Sequence, residues 1–191
     1  YYNVELVSVQ VGDNTPISAA PLAEKDVKAY FTNAIVDTGA SLTVLTHELY
    51  SQVITQLNAH NTSFAKLLTP FSDINQQYKG IDASALNLAE WPDITFSFVG
   101  INTDESADEN IDENTDKNTN KSNKPVELVC PPTHYWQTNT PTKGNACFKL
   151  LSQLPQWPNQ TLIGLPLITN YYTIFDRSVN STGVIKFAEQ V

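Results

Sequence analysis

Residues 34–42 read AIVDTGASL, and Thr43-Val44-Leu45 follows directly, so a single carboxylate lies between two apolar runs. Such runs predict two buried strands joined by a tight loop that carries Asp37. A lone Asp-Thr-Gly tripeptide is typical of surface turns. Here, however, burial of the flanking strands should also bury the carboxylate, and a buried charge is costly and seldom kept without a task. Asp37 is therefore the candidate catalytic residue.

Strand patterns surround this loop and predict one mainly β domain over residues 1–191. Apolar and polar residues alternate, or apolar runs occur, at 4–12, 34–36, 42–45, 93–100, 126–129, 135–136 and 161–164, and a closing hairpin is predicted from 171–175 and 183–187. One clear helix pattern begins at Thr46, which can cap a helix. Its apolar face is formed by Leu49, Val53, Ile54 and Leu57. A second, short helix is expected near residues 165–169.

Several of these stretches together resemble the pepsin family of aspartic proteases. AIVDTGAS resembles the family's catalytic loop, and Leu162-Ile163-Gly164 resembles the apolar-apolar-Gly partner of that loop. The opening YYNVEL at 1–6 and the closing YYTIFDR at 171–177 resemble the two ends of the second lobe. The resemblance implies a carboxyl-terminal lobe of the double-psi β-barrel type, mainly β, with one or two short helices.

The resemblance also implies a mechanism and roles for the loop residues. Asp37 would share one proton with a second aspartate, and the pair would activate water and protonate the carbonyl of a polypeptide substrate. Thr38 would link the two catalytic loops, and Gly39 would allow close backbone approach. Ser41 would hydrogen-bond within the loop or to substrate. Ala40 would also border the substrate, but it stands where the family usually has a hydroxyl donor, which predicts activity displaced toward neutral pH.

Only one Asp-Thr-Gly or Asp-Ser-Gly occurs in the chain, whereas a pepsin-type site needs two such loops. We expect the second aspartate to come from an amino-terminal lobe, either a separate chain or a part that precedes this sequence. The lack of any methionine, even at position 1, agrees with an upstream part having been removed. Two alternatives stay open: a self-sufficient homodimer in which two copies of Asp37 meet, and a non-catalytic lobe that binds peptides or inhibitors.

Two cysteines occur, Cys130 and Cys147. Cys147 resembles the later cysteine of the family's second-lobe disulfide, and Cys130 is its one candidate partner, with two free thiols as the alternative. Four Asn-x-Ser/Thr sequons add candidate glycosylation sites at Asn61, Asn120, Asn159 and Asn180. A cysteine pair with sequons favours a secreted protein or one in an acidic extracytoplasmic compartment.

The remaining composition excludes several classes of function. The formal net charge is −9 and no basic cluster occurs, which argues against nucleic-acid partners. No apolar run approaches the roughly 20 residues of a membrane span. The three histidines have no metal-ligand spacing, so we assign neither a metal nor a cofactor. Residues 103–124 are nearly devoid of apolar side chains and predict a disordered acidic insertion.

Overall fold

β-strands dominate the computed structural model, which describes residues 2–101, 124–178 and 183–190. Within these ranges there are fourteen strands: β1 Tyr2–Val4, β2 Leu6–Val11, β3 Ile17–Ser18, β4 Ala34–Val36, β5 Thr43–Leu45, β6 Ile81–Asp82, β7 Ile94–Phe98, β8 Val126–Cys130, β9 Trp136–Thr138, β10 Asn145–Phe148, β11 Leu150–Ser152, β12 Thr161–Ile163, β13 Tyr171–Asp176 and β14 Val184–Glu189. The prediction of a mainly β fold is confirmed. The single-lobe assignment and the double-psi barrel stay predictions, and all of the expected insertion except Lys124 lies outside the described residues.

Helices are more numerous than the one or two that were predicted. The described residues contain five α-helices: α1 Glu24–Tyr30, α2 His47–His60, α3 Phe64–Leu68, α4 Pro132–Tyr135 and α5 Leu165–Ile168. Single 3-10 turns add Thr69–Ser72, Ile74–Tyr78, Ala83–Ala85 and Leu88–Glu90. The helix α1 escaped prediction because it buries no residue and so has no apolar stripe. The helices α3 and α4 are too short to display a helical period.

The longest helix, α2, follows its sequence pattern closely. The Thr46 side chain accepts a hydrogen bond from the Leu49 backbone N–H at 3.4 Å, which caps the first turn. Leu49, Val53 and Leu57 are buried, as predicted, against the core. The helix follows β5 in the chain and packs against β5 and β11 of the sheet that carries the loop with Asp37.

A five-stranded sheet has the order β1-β4-β12-β5-β11 and carries this loop. Strand β12 lies between β4 and β5, with Leu162 opposite both Ile35 and Val44. Because β4 and β5 are consecutive in the chain but not neighbours in the sheet, the connection at 37–42 must cross the end of β12. The topology thus brings the loop against Ile163 and Gly164.

The other large sheet has four strands, in the order β3-β2-β7-β8, and contributes more buried apolar side chains to the core than any other described sheet. In β7 the side chains of Ile94, Phe96 and Phe98 are buried in alternation, which matches the predicted strand period. Aromatic rings also belong to the core. Phe64 stacks on Trp91 with ring centroids 3.7 Å apart, and Trp91 meets Trp136 edge-on at 5.0 Å.

Strands β13 and β14 form a separate two-stranded hairpin, as the sequence predicted. It follows α5 directly and is therefore close in the chain to the end of β12. On its inner side Phe175 packs against Tyr2 of β1, with ring centroids 4.2 Å apart. The first described strand, β1, thus meets the closing hairpin through β13.

Candidate active site

Backbone hydrogen bonds hold the loop that carries Asp37 at both of its ends. The Asp37 N–H donates to the Ile163 carbonyl at 2.9 Å, and the Leu165 N–H donates to the Ala40 carbonyl at 2.8 Å. The loop is therefore bonded to the residues on either side of Gly164. No side chain is needed for these bonds, so the path of the loop is set by the crossing of β12.

The Asp37 carboxylate is oriented by its own loop. The Gly39 N–H donates to Asp37 Oδ1 at 2.8 Å, and the Ala40 N–H donates to the Asp37 carbonyl at 3.3 Å. The carboxylate is half-buried, however, and the expectation that the strands would bury it is wrong. Val36, the last residue of β4, is buried, whereas Asp37 lies one residue beyond the edge of the sheet.

The rest of the loop faces outward. Thr38, Gly39 and Ser41 are exposed and Ala40 is half-buried. Within the described residues neither the Thr38 nor the Ser41 hydroxyl has a hydrogen-bond partner. The roles assigned to these four residues by resemblance stay predictions.

Thr43 is a positioning residue that the sequence did not reveal. It is fully buried, and its Oγ1 accepts a hydrogen bond from the Gly164 N–H at 3.3 Å. Its own N–H donates to the Lys149 carbonyl at 3.0 Å. Thr43 therefore fastens the turn after β12 to the strand that leaves the loop with Asp37. In the sequence it reads simply as a β-branched strand residue.

Asn33 fixes the start of β4, the strand that leads into the loop. Its side chain is buried; Oδ1 accepts from the Leu6 N–H at 2.9 Å and Nδ2 donates to the Leu6 carbonyl at 2.8 Å. A further bond runs from Nδ2 to the Ala20 carbonyl at 3.1 Å. Asn33 thus ties the start of β4 to β2. Its position directly before the AIV run was the one available signal, and an isolated Asn there is more typical of a turn.

A comparison with known protein families identifies the family of the chain. A family model described as Eukaryotic aspartyl protease matches residues 1–189, which is nearly the whole chain. The chain belongs to this family. The resemblance of the pepsin-type motifs is thereby confirmed, and the family is one of aspartic proteases. No curated protein matched the chain in a separate comparison.

The disulfide that the family resemblance suggested is absent from this aspartyl protease. Cys130 and Cys147 are both free and buried. Cys130 ends β8 in the four-stranded sheet and its Sγ donates to the Pro166 carbonyl at 3.1 Å, whereas Cys147 lies in β10 of the three-stranded sheet. Burial raises the pKa of both thiols. The alternative of two free thiols is the correct one.

The structure describes two of the four sequon asparagines, Asn61 and Asn159. Asn120 and Asn180 lie outside the described residues. Asn61 follows α2, and its Oδ1 accepts from the Ser63 N–H at 3.0 Å. Asn159 is exposed, two residues before β12. Their use as glycosylation sites stays a prediction.

Other features of this aspartyl protease lie away from Asp37. A cavity of about 530 Å³ is bordered by Gly12, His60 and Asp93, and Asp37 does not line it. In the described part of the chain no three His, Cys, Asp or Glu side chains are arranged to hold a metal ion. Over the same ranges, no helix is long and apolar enough to cross a bilayer.

Proposed function

We propose that this chain is one lobe of an acid endopeptidase, in which Asp37 shares a proton with an aspartate supplied by a second lobe. One observation carries the proposal. The Asp37 carboxylate lies half-exposed on a loop whose backbone is bonded to Ile163 and Leu165, with the Gly39 N–H on one of its oxygens. A carboxylate held rigidly at an open surface is suited to meet a second one.

The chemistry follows from two carboxyl groups at close range. Like charges so near cannot both ionise readily, so one carboxyl keeps its proton while the other is a base. The ionised group takes a proton from water as that water attacks the peptide carbonyl carbon. The protonated group donates its proton to the carbonyl oxygen. The tetrahedral diol then collapses with cleavage of the C–N bond and protonation of the amine.

The exposed loop is where the second lobe would contribute. The outward Thr38 hydroxyl would bond to the facing catalytic loop, and the bare backbone at Gly39 would admit that loop or the substrate. Ala40 and Ser41 would border the extended polypeptide. Cleavage near apolar residues is the expected preference.

The hairpin of β13 and β14 offers a surface for the same lobe. Its outward side chains include Tyr172, which is 68% exposed, and Ile174, which is 44% exposed. They stand beside Ala188 and Lys186 on the neighbouring strand. Adjacent apolar groups at the surface of a sheet are typical of an interface. We propose that this face is covered when the two lobes join.

The proposed setting is a secretory or acidic extracytoplasmic compartment. An acidic chain loses self-repulsion as its carboxylates protonate, which suits work at low pH. Family membership and the sequons support this setting. The two free buried thiols are compatible with it, since neither is accessible for oxidation.

A cleavage assay tests the proposal. A quenched apolar peptide is offered from about pH 3 to about pH 7, where a proton-sharing pair should act. The chain is assayed alone and after addition of its amino-terminal lobe, with and without pepstatin. Asp37→Asn removes the reactive carboxylate with little change in shape. Asp73→Asn is the matched control, because Asp73 is exposed, caps the turn Ile74–Tyr78 and belongs to neither the loop nor the hairpin.

We expect pepstatin-sensitive cleavage that needs the second lobe, disappears in Asp37→Asn and persists in Asp73→Asn. Cleavage by the chain alone, rising with the square of concentration, would instead identify a homodimer. Substrate binding without cleavage in the two-lobe protein would favour the non-catalytic lobe. Activity that survives Asp37→Asn contradicts the proposal outright.

A further inference from the structure

The sequon at Asn159 is held at the tip of a tight, anchored turn. The Gln160 N–H donates to the Pro158 carbonyl at 2.7 Å, so the chain reverses at Asn159 and leaves that residue exposed. The buried Gln153 side chain donates to the Pro158 carbonyl, and also to the Gln160 carbonyl at 3.1 Å. Two anchors flank the asparagine, which is therefore presented outward on a fixed support.

The third residue of this sequon, Thr161, has a hydroxyl that the fold does not use. Thr161 is 1% exposed at the start of β12, and its Oγ1 has no hydrogen-bond partner in the described part of the chain. A buried hydroxyl without a partner is destabilising, and valine would fill the same space without that cost. The hydroxyl is explained if an oligosaccharide transferase recognises it as part of the Asn-x-Thr sequon before the chain folds.

Exposed apolar side chains surround this turn. Trp157 is 52% exposed and Leu154 is 47% exposed, and the Trp157 N–H donates to the Leu154 carbonyl. Gln160 Nε2 joins the turn to the neighbouring loop through the Tyr30 carbonyl at 3.1 Å. That loop carries Phe31, which is 68% exposed. We name Tyr30, Phe31, Leu154 and Trp157 the Trp157 patch.

We propose that Asn159 carries an N-linked oligosaccharide whose first sugar lies on Trp157 and shields the Trp157 patch. Trp157 is two residues before Asn159, within reach of a sugar attached to that side chain. The C–H face of a pyranose ring packs well on the electron-rich face of an indole. The glycan is thus a partner of suitable chemistry, covalently placed beside an apolar surface that the fold leaves open.

The attachment step uses a lipid-diphosphate-linked oligosaccharide as the donor. Asn159 Nδ2 forms a bond to the anomeric carbon of the donor, the bond from that carbon to the diphosphate oxygen breaks, and the amide nitrogen loses a proton. The lipid diphosphate is the leaving group. Because the folded chain buries Thr161 in β12, the sequon is readable only before β12 joins the sheet. Modification therefore precedes folding.

Mass spectrometry of glycopeptides tests occupancy in the full chain secreted from a eukaryotic host. We expect a glycan at Asn159 in the wild type and in Thr161→Ser, and none in Asn159→Gln or Thr161→Val. The valine variant is the sharper control, because it removes the sequon while it also removes an unpaired buried hydroxyl. Made without glycan in bacteria, it should melt no lower than the unmodified wild type. A wild-type chain with unmodified Asn159 overturns the proposal.

Iodide quenching of tryptophan fluorescence tests the shielding. Trp91 and Trp136 are 5% and 0% exposed, so Trp157 is the one indole that iodide can reach among the three. Secreted wild type should be quenched less than Thr161→Val, and Trp157→Phe should abolish that difference. Equal quenching with Asn159 occupied overturns the shielding. The inference rests on the proposed secretory setting but not on catalysis, so its failure leaves the cleavage assay unaffected.

A third arm tests the order of events. The unmodified chain from bacteria is offered to the transferase and its donor either folded or unfolded in mild denaturant. We expect modification of Asn159 in the unfolded chain alone. Equal modification of the folded chain would show that Thr161 is readable in place, and would overturn the proposed order.

Discussion

The backbone of Gly164 lies against the carbonyl group of Leu42, so closely that a β-carbon at residue 164 would be 2.0 Å from the Leu42 oxygen. The same β-carbon would be 2.6 Å from the Ala40 oxygen. Both oxygens belong to the backbone and cannot rotate away. The loop that carries Asp37 and the turn after β12 therefore fit together only with glycine at this position.

Replacement of this glycine should loosen the loop that carries Asp37. For Gly164→Ala we expect a loss of about 2–3 kcal/mol in the free energy of unfolding, since the backbone must shift to admit the methyl group. Gly144→Ala is the control, because nothing lies within 4 Å of its β-carbon position and only its φ of +88° opposes substitution. That strain costs about 1–2 kcal/mol. Urea unfolding measures both, and an equal loss in the two variants contradicts the close fit.

Thr43 should matter through its hydroxyl rather than its bulk. Thr43→Val keeps the shape but leaves the buried Gly164 N–H without its acceptor, at an expected cost of about 1–3 kcal/mol. Thr43→Ser keeps the hydroxyl and loses one methyl group, for which about 1 kcal/mol is expected. Thermal unfolding of the two variants separates these effects. A Thr43→Val variant as stable as the wild type would mean that the hydrogen bond from the Gly164 N–H contributes nothing to stability.

The sequence predicted those parts of the fold that depend on local patterns. The cap at Thr46 and the buried face of α2 follow from helical spacing, and β7 follows from alternation. The loop at Asp37 was identified because its apolar flanks and its glycine are local features as well. Its partner at residues 162–164 was found only by resemblance, since nothing in the pattern of β12 predicts a position between β4 and β5.

What the sequence did not reveal depends on contacts between distant residues. The bond from Gly164 to Thr43 exists because the topology crosses there, and a threonine in a strand carries no sign of it. The exposure of Asp37 depends on where the sheet ends, which apolar flanks do not specify. The expected disulfide failed for a similar reason, because Cys130 and Cys147 belong to different sheets.

Ala40 should influence the pH range of the proposed activity. In the described residues the one hydrogen bond to the Asp37 carboxylate comes from the Gly39 N–H. Ala40→Thr adds a hydroxyl donor beside it, which favours the ionised form. We expect the acid limb of the pH profile for kcat/KM of the two-lobe enzyme to move to lower pH. Ala40→Val is the matched control of similar size, and an identical shift in both variants would exclude a hydrogen-bond effect.

The cysteines should behave as buried free thiols. Without reductant, a thiol reagent such as DTNB should react only slowly with the folded chain. After denaturation it should react readily with both cysteines. Cys130 is 1% exposed and Cys147 is 0% exposed, and burial also raises their pKa values, so little thiolate is accessible in the folded state. Cys130→Ala and Cys147→Ala should each remove one titratable group. No reaction in denaturant would mean that the two are bridged.

The ion pair on the closing hairpin should make stability depend on pH in acid. Lys186 Nζ donates to Asp176 Oδ2 at 2.8 Å, and the Ser178 Oγ and N–H donate to Oδ1 at 2.6 and 3.0 Å. These bonds, that of Lys186 first, hold the pKa of Asp176 well below its usual value. A carboxylate with a lowered folded pKa stabilises fully above its unfolded value of about 3.9, and this contribution declines as the pH falls further.

Asp176→Asn should therefore melt below the wild type at pH 7, and the difference should shrink below about pH 4. The effect should be small, because the Lys186 side chain is 46% exposed and surface pairs are screened by water. Adding salt should reduce it further. In Lys186→Met the cost of Asp176→Asn should be smaller, since the principal partner is gone. A difference in melting temperature that grows toward acid pH would have the wrong sign and would contradict this account of Asp176.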